Sequence, residues 1–125
     1  NVSFASTTNE SLSAYNGSRI IVASSTISNT IEGDAIGVYN STLYMSSTTI
    51  NSVGDGNGIG VYYSIVSIAS STISNILDGD GIGLYNSTTT VNNVTIDNIA
   101  DGDGIAVYGG NISGDAMVDG VVVEF

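Results

Sequence analysis

Tyr39, Tyr62, Tyr85 and Tyr108 stand 23 residues apart, and the chain around each of them repeats itself. Ile36, Ile59, Ile82 and Ile105 keep the same step, as do Ile27, Ile50, Ile73 and Ile96, and Gly33, Gly56, Gly79 and Gly102. A gapless register of this kind constrains the fold more than any other feature. A short repeated unit cannot bury its apolar face alone, so the units must stack and build one continuous core. An earlier copy, "LSAYNGS" from Leu12, joins the series with one extra residue.

Within a unit the apolar residues alternate: Ile36 and Val38, then Leu43 and Met45, then Ile50. Period two is the period of a strand, so these side chains face one way. Gly, Asp, Asn and Ser punctuate the runs as turn residues. β-Branched residues dominate and alanine is sparse, which disfavours helix. The expected fold is all-β, a parallel β-solenoid of about five coils of 23 residues with three short strands per coil. It forms one domain over 1–125: a partial N-terminal coil at 1–15, four coils over 16–108, and a C-terminal coil with a terminal strand at 109–125. The coil length resembles that of right-handed, pectate-lyase-like β-helices among surface and extracellular repeat proteins. The resemblance is architectural, covers residues 12–113, and implies a right-handed winding.

Stacking turns each repeated position into a column with a spacing of about 4.8 Å. Two columns are acidic: Glu32, Asp55, Asp78 and Asp101, and Asp34, Asn57, Asp80 and Asp103. Like charges at that spacing repel by about 1 kcal/mol in bulk water. Bound Ca²⁺, shared protons and solvent screening are three ways to relieve the repulsion. Asp78, Asp80, Asp101 and Asp103 are the densest oxygen cluster and the candidate Ca²⁺ ligands. The column Asn29, Ser52, Asn75 and Asn98 is expected just after the third strand, where amides can satisfy turn backbone groups. Thr26, Thr49, Thr72 and Thr95, beside Ser24, Ser47, Ser70 and Asn93, resemble the threonine arrays of ice-binding solenoids. The tyrosines run beside a stripe of Gly37, Gly60, Gly83 and Ala106, so something is expected to approach closely there. The rings can cover their own strand, meet another solenoid, or stack on sugar rings.

The charge balance narrows the partners. Arg19 is the only basic residue against twelve acids, for a net charge of −11. Nothing is available to neutralise phosphates, so nucleic acid is excluded, and anionic membrane surfaces repel the chain. No apolar run approaches the roughly 18 residues of a membrane span. Histidine and cysteine are absent. Acid pairs can hydrolyse glycosides, but these acids repeat like the turns that carry them, which argues against an enzyme.

Seven Asn-x-Ser/Thr sequons occur, at Asn1, Asn9, Asn16, Asn40, Asn86, Asn93 and Asn111. They point to a glycosylated extracellular protein, although a repeat rich in Ser, Thr and Asn also creates such triplets by accident. Asn16, Asn40 and Asn86 each follow a tyrosine at a turn, with Tyr63 in the equivalent place between the last two; Asn93 and Asn111 complete the candidates. The chain ends "VVVEF", where Val121, Val122, Val123 and Phe125 make an apolar strand suited to pairing with an open edge. The functional expectation is a structural subunit of an extracellular filament or surface layer, joined to copies of itself head to tail. The alternative is a fragment of a larger β-helical adhesin or autotransporter passenger that binds host or carbohydrate surfaces.

Overall fold

The structure, a computed structural model, describes residues 3–125; the sequon at Asn1 lies outside them. The strands are β1 (Ser3–Thr7), β2 (Leu12–Tyr15), β3 (Arg19–Ala23), β4 (Thr26–Glu32), β5 (Ile36–Tyr39), β6 (Thr42–Ser46) and β7 (Thr49–Asp55). There follow β8 (Ile59–Tyr62), β9 (Ile65–Ala69), β10 (Thr72–Asp78), β11 (Ile82–Asp101), β12 (Ile105–Val118) and β13 (Val121–Glu124). They wind into a parallel β-solenoid of about five turns, as the repeat predicts. In the early coils three strands are separated by corners. In β11 and β12 the ladder continues around the corners, and each coil is one long strand.

The coil has three faces. The first stacks β2, β5, β8 and the starts of β11 and β12, with Tyr15, Tyr39, Tyr62, Tyr85 and Tyr108 in register. The second stacks β3, β6, β9 and the middles of β11 and β12. The third stacks β1, β4, β7, β10 and the ends of β11 and β12. The interior columns follow the alternation. Ile36, Ile59 and Ile82 are fully buried and Ile105 half-buried, while Ile27, Ile50, Ile73 and Ile96 are all fully buried. Each such isoleucine contributes about 1.5–3 kcal/mol through the apolar area it removes from water.

Left-handed backbone makes the corners. Asn16, Asn40, Tyr63 and Asn86 turn the chain between the first and second faces at φ of 54, 49, 50 and 48°. Ser24, Ser47, Ser70 and Asn93 do the same between the second and third, at 48, 48, 47 and 53°. Asn bears this conformation better than most residues, which accounts for three of the four residues in the first column, Tyr63 being the exception. The serines therefore sit in a corner, not on a sheet, and share no flat array with Thr26, Thr49, Thr72 and Thr95. The column Asn29, Ser52, Asn75 and Asn98 is left-handed as well (57–63°). It lies inside the third-face strands, where it bends them, not after them as expected. Its amides bond to each other and to neighbours: Asn98 Nδ2 donates to Asn75 Oδ1, and Asn75 Nδ2 donates to Asn51 Oδ1 at 2.5 Å.

A buried hydroxyl ladder follows each of the first two corners. Ser41, Ser64 and Ser87 donate to the carbonyls of Tyr39, Tyr62 and Tyr85 at 3.0, 2.7 and 2.8 Å. Each also accepts a backbone N–H from the preceding coil, as Ser64 does from Ser41 at 2.9 Å. Ser25, Thr48 and Ser71 repeat the pattern at the second corner. The hydroxyls thus take corner N–H groups such as that of Ser41, and give a second donor to carbonyls that already accept a backbone N–H from the preceding coil.

The two ends differ. At the N-terminal end, β1, β2 and β3 have no strand beyond them among the described residues, and a cavity of about 260 Å³ opens among Phe4, Leu12, Ile20 and Val22. At the C-terminal end the chain turns at Asp119 and Gly120 (φ 47 and 79°) and β13 pairs antiparallel with the end of β12, Met117 opposite Val122. The strand expected to reach a neighbour is folded back on its own last coil. It covers the third face only and adds one strand level there, as β1 does at the opposite end, so that face has two more levels than the first or the second.

Candidate functional site

The longest-range constellation is built on the first face. Tyr15, Tyr39, Tyr62, Tyr85 and Tyr108 stack with ring centroids 4.7–4.8 Å apart and interplanar angles of 2–13°. The centroid spacing equals the strand spacing, so the rings use their faces on one another. Only Tyr15 and Tyr108, at the two ends, have a ring face without a ring against it. Sugar stacking along the length of the ladder is therefore not what this geometry offers.

From Tyr39 onward each hydroxyl faces the turn of the coil before it, and Tyr15 uses the turn of its own coil. Tyr62 donates to Asp34 Oδ2 at 3.1 Å. Tyr39 donates to Glu10 Oε1, and Tyr15 to Glu10 Oε2 at 3.2 Å. Asn57 stands beside Tyr85 and Asp80 beside Tyr108 in the same relation. This explains the glycine stripe: a Cβ on Gly60 would lie 1.9 Å from Asp34 Oδ2 and 2.8 Å from the Tyr62 ring, and one on Gly37 would lie 2.7 Å from the Tyr39 ring. What approaches the stripe is the chain itself.

The second acidic column is also a backbone cap. Asp34 Oδ1 accepts the N–H of Asn57 at 2.8 Å, Asn57 Oδ1 that of Asp80 at 2.9 Å, and Asp80 Oδ1 that of Asp103 at 2.9 Å. Asp34, Asn57 and Asp80 are buried, Asp103 exposed. The neutral Asn57 keeps Asp34 and Asp80 two coils apart, about 10 Å at the strand spacing. Burial pushes the Asp34 carboxyl up, against the hydrogen bonds from Asn57 and Tyr62. Burial also pushes the Tyr39 and Tyr62 hydroxyls well up, helped by Glu10 at the first and Asp34 at the second.

Glu32, Asp55, Asp78 and Asp101 form the outer ladder and are exposed, where water and salt screen them. The four candidate Ca²⁺ ligands are split: Asp78 and Asp101 belong to this outer ladder, while Asp80 is buried and capping backbone. Among the described residues no group of three or more acidic side chains has the placement to hold a metal ion.

Asn16, Asn40, Asn86, Asn93 and Asn111 are all exposed. Their triplets also have a structural origin. In "NST" the Asn makes the left-handed corner, the Ser joins the buried ladder, and the Thr opens the second-face strand.

Glu10 escaped the repeat because the first coil carries one extra residue, which places it 24 positions before Asp34 rather than 23. The stacking of Ser13 and both tyrosines on it shows its equivalence. Among the described residues no helix is long and apolar enough to cross a membrane. Compared with known families, curated proteins and solved structures, the chain finds no match.

Proposed function

We propose that the chain forms coils of a larger extracellular β-solenoid, a structural rod of the β-helical adhesin type, carrying sugars at its corners. The observation behind this reading is the inequality of the ends. The N-terminal edge offers unpaired strands on all three faces above an apolar opening, the arrangement onto which further coils add. The C-terminal edge ends in a hairpin that interrupts the parallel ladder. The coil length resembles that of pectate-lyase-like right-handed helices, and the exposed corner asparagines support glycosylation at Asn16, Asn40, Asn86, Asn93 and Asn111.

A second reading, a separate subunit that polymerises head to tail, draws on the first- and second-face edges of β12, which β13 leaves uncovered. Two unchanged ends would meet first on the taller third face, leaving empty levels on the other two. Head-to-tail growth therefore requires the hairpin to open.

Electron microscopy and light scattering of the isolated 125-residue chain separate the two. We expect discrete small species. Filaments of the isolated chain, with or without residues 119–125, would overturn the rod reading in favour of the subunit. Intact glycopeptide mass spectrometry of native material tests the sugars; bare peptides throughout would remove the extracellular argument.

A further inference from the structure

The tyrosine ladder combines two features: five rings in continuous π-contact, and an ionisable acceptor at every hydroxyl except that of Tyr85. We propose that the ladder accepts oxidising equivalents from a one-electron oxidant, such as a high-valent metal complex or an oxygen-centred radical, and shares the resulting hole among Tyr15, Tyr39 and Tyr62.

The step balances on the residues present. One electron leaves the Tyr62 ring for the oxidant, which is reduced by one electron. The phenolic proton crosses the 3.1 Å hydrogen bond to Asp34 Oδ2. The products are a neutral tyrosyl radical and a neutral carboxylic acid, so no charge is left in a half-buried site where it would be costly. The hole then moves one ring along: an electron passes from Tyr39 to Tyr62 over rings 4.7 Å apart, Asp34 returns its proton, and Glu10 takes the proton of Tyr39. Glu10 serves Tyr15 and Tyr39 with its two oxygens, so the next transfer uses the same base. The first link toward the other end is different. Asn57 stands where an acid would serve Tyr85, and a neutral amide does not accept a proton at ordinary pH. A hole formed at the N-terminal end is therefore confined to three rings, and Tyr108, with Asp80 beside it, is a separate site beyond the break.

Tyr44 and Tyr63 are internal references. Both are exposed, at 43% and 69%, and neither belongs to the ring stack. Exposure alone would put Tyr63 first, then Tyr108 at 54% and Tyr15 at 51%, and would put Tyr44 ahead of the half-buried Tyr39 and Tyr62.

The test uses the full chain with photogenerated tris(bipyridine)ruthenium(III) as oxidant, electron paramagnetic resonance to quantify the tyrosyl radical, and a nitroso spin trap with peptide mass mapping to locate it. The expected result is adducts on Tyr15, Tyr39 and Tyr62 and, as a separate population, on Tyr108, with Tyr85 spared. Asp34→Asn should lose most of the Tyr62 adduct while keeping the fold, since Asn57 shows that an amide at this position still caps the next coil at 2.9 Å. Tyr39→Phe with Tyr62→Phe keeps the ring stack and leaves Tyr15 on Glu10, so the adducts that Tyr39 and Tyr62 carried should disappear while Tyr15 keeps its own and Tyr44 and Tyr63 gain. The converse change, Asn57→Asp, should bring Tyr85 into the adduct set. Adducts ordered by exposure, with Tyr63 first, would overturn the proposal. So would an adduct pattern indifferent to Asp34→Asn in a protein whose circular dichroism is unchanged.

Discussion

The coil that begins at Ile82 and the coil that begins at Ile105 are close copies, yet the structure treats them differently. Ile82 and Leu84 have no exposed surface, whereas Val107, opposite Leu84 in the ladder, is 44% exposed and Tyr108 is 54% exposed. The ladder between them also slips: Asn92 and Asn93 oppose Asp115 alone, and the offset falls from 23 residues to 22. The lesson is that a coil's burial comes from the coils on either side. The same residues are a core in the middle of the rod and an edge at its end.

Substitutions can break or sharpen that contrast. Ile82→Ala leaves a cavity closed on both sides and should cost about 2–5 kcal/mol in denaturant unfolding; Ile105→Ala should cost less than half as much. Equal losses would mean that the last coil is as tightly held as the middle. Ser64→Ala removes a hydroxyl that accepts the Ser41 N–H of the preceding coil and donates to the Tyr62 carbonyl of its own, and should cost about 1–3 kcal/mol. The last coil has Gly110 in that ladder and never had the bond.

The tyrosines supply a pH contrast. A folded-state pKa above the ordinary 10 means that above pH 10 the folded chain holds protons the unfolded chain has released. Stability is then full below pH 10 and falls as pH rises past it. Thermal melts should drop steeply on that side, less so in Tyr39→Phe with Tyr62→Phe. Asp34 is raised as well, so its contribution grows as pH falls from neutral toward 3.8; Asp34→Asn should flatten that rise.

Two smaller effects complete the series. The Thr89 hydroxyl is fully buried among apolar columns and has no hydrogen-bond partner among the described residues. Thr89→Val should therefore raise stability by about 1 kcal/mol, and a loss instead would reveal a bonded water. Val107→Ala should stay within about 0.5 kcal/mol.

The interior was legible because period two and a 23-residue step together fix which side chain meets which. What surrounds the corners was not. Asn29 and its column read as a turn, since left-handed backbone inside a strand leaves no mark distinct from a turn residue. The glycine stripe read as a docking line, because alternation places side chains on a face without showing how far a tyrosine folds back over it. Glu10 was hidden by one inserted residue. The hairpin, by contrast, was visible in principle: Asp119-Gly120 between apolar runs is a strong hairpin signal, and it sits immediately before "VVVEF".

Asn57 has a consequence for how such a rod can change length. Excising residues 46–68, or 69–91, removes one whole period and leaves every remaining residue in its column. Genetically the two deletions look equivalent, yet they join different neighbours. The second sets Asn57 against Asp103, with no new pair of charges. The first sets Asp34 directly against Asp80, two carboxylates about 4.8 Å apart in a buried column, where repulsion exceeds the roughly 1 kcal/mol of bulk water. Loss and gain of coils by recombination is therefore not neutral even in perfect register. The order of neutral and charged turns acts as a grammar that decides which shortened rods still fold.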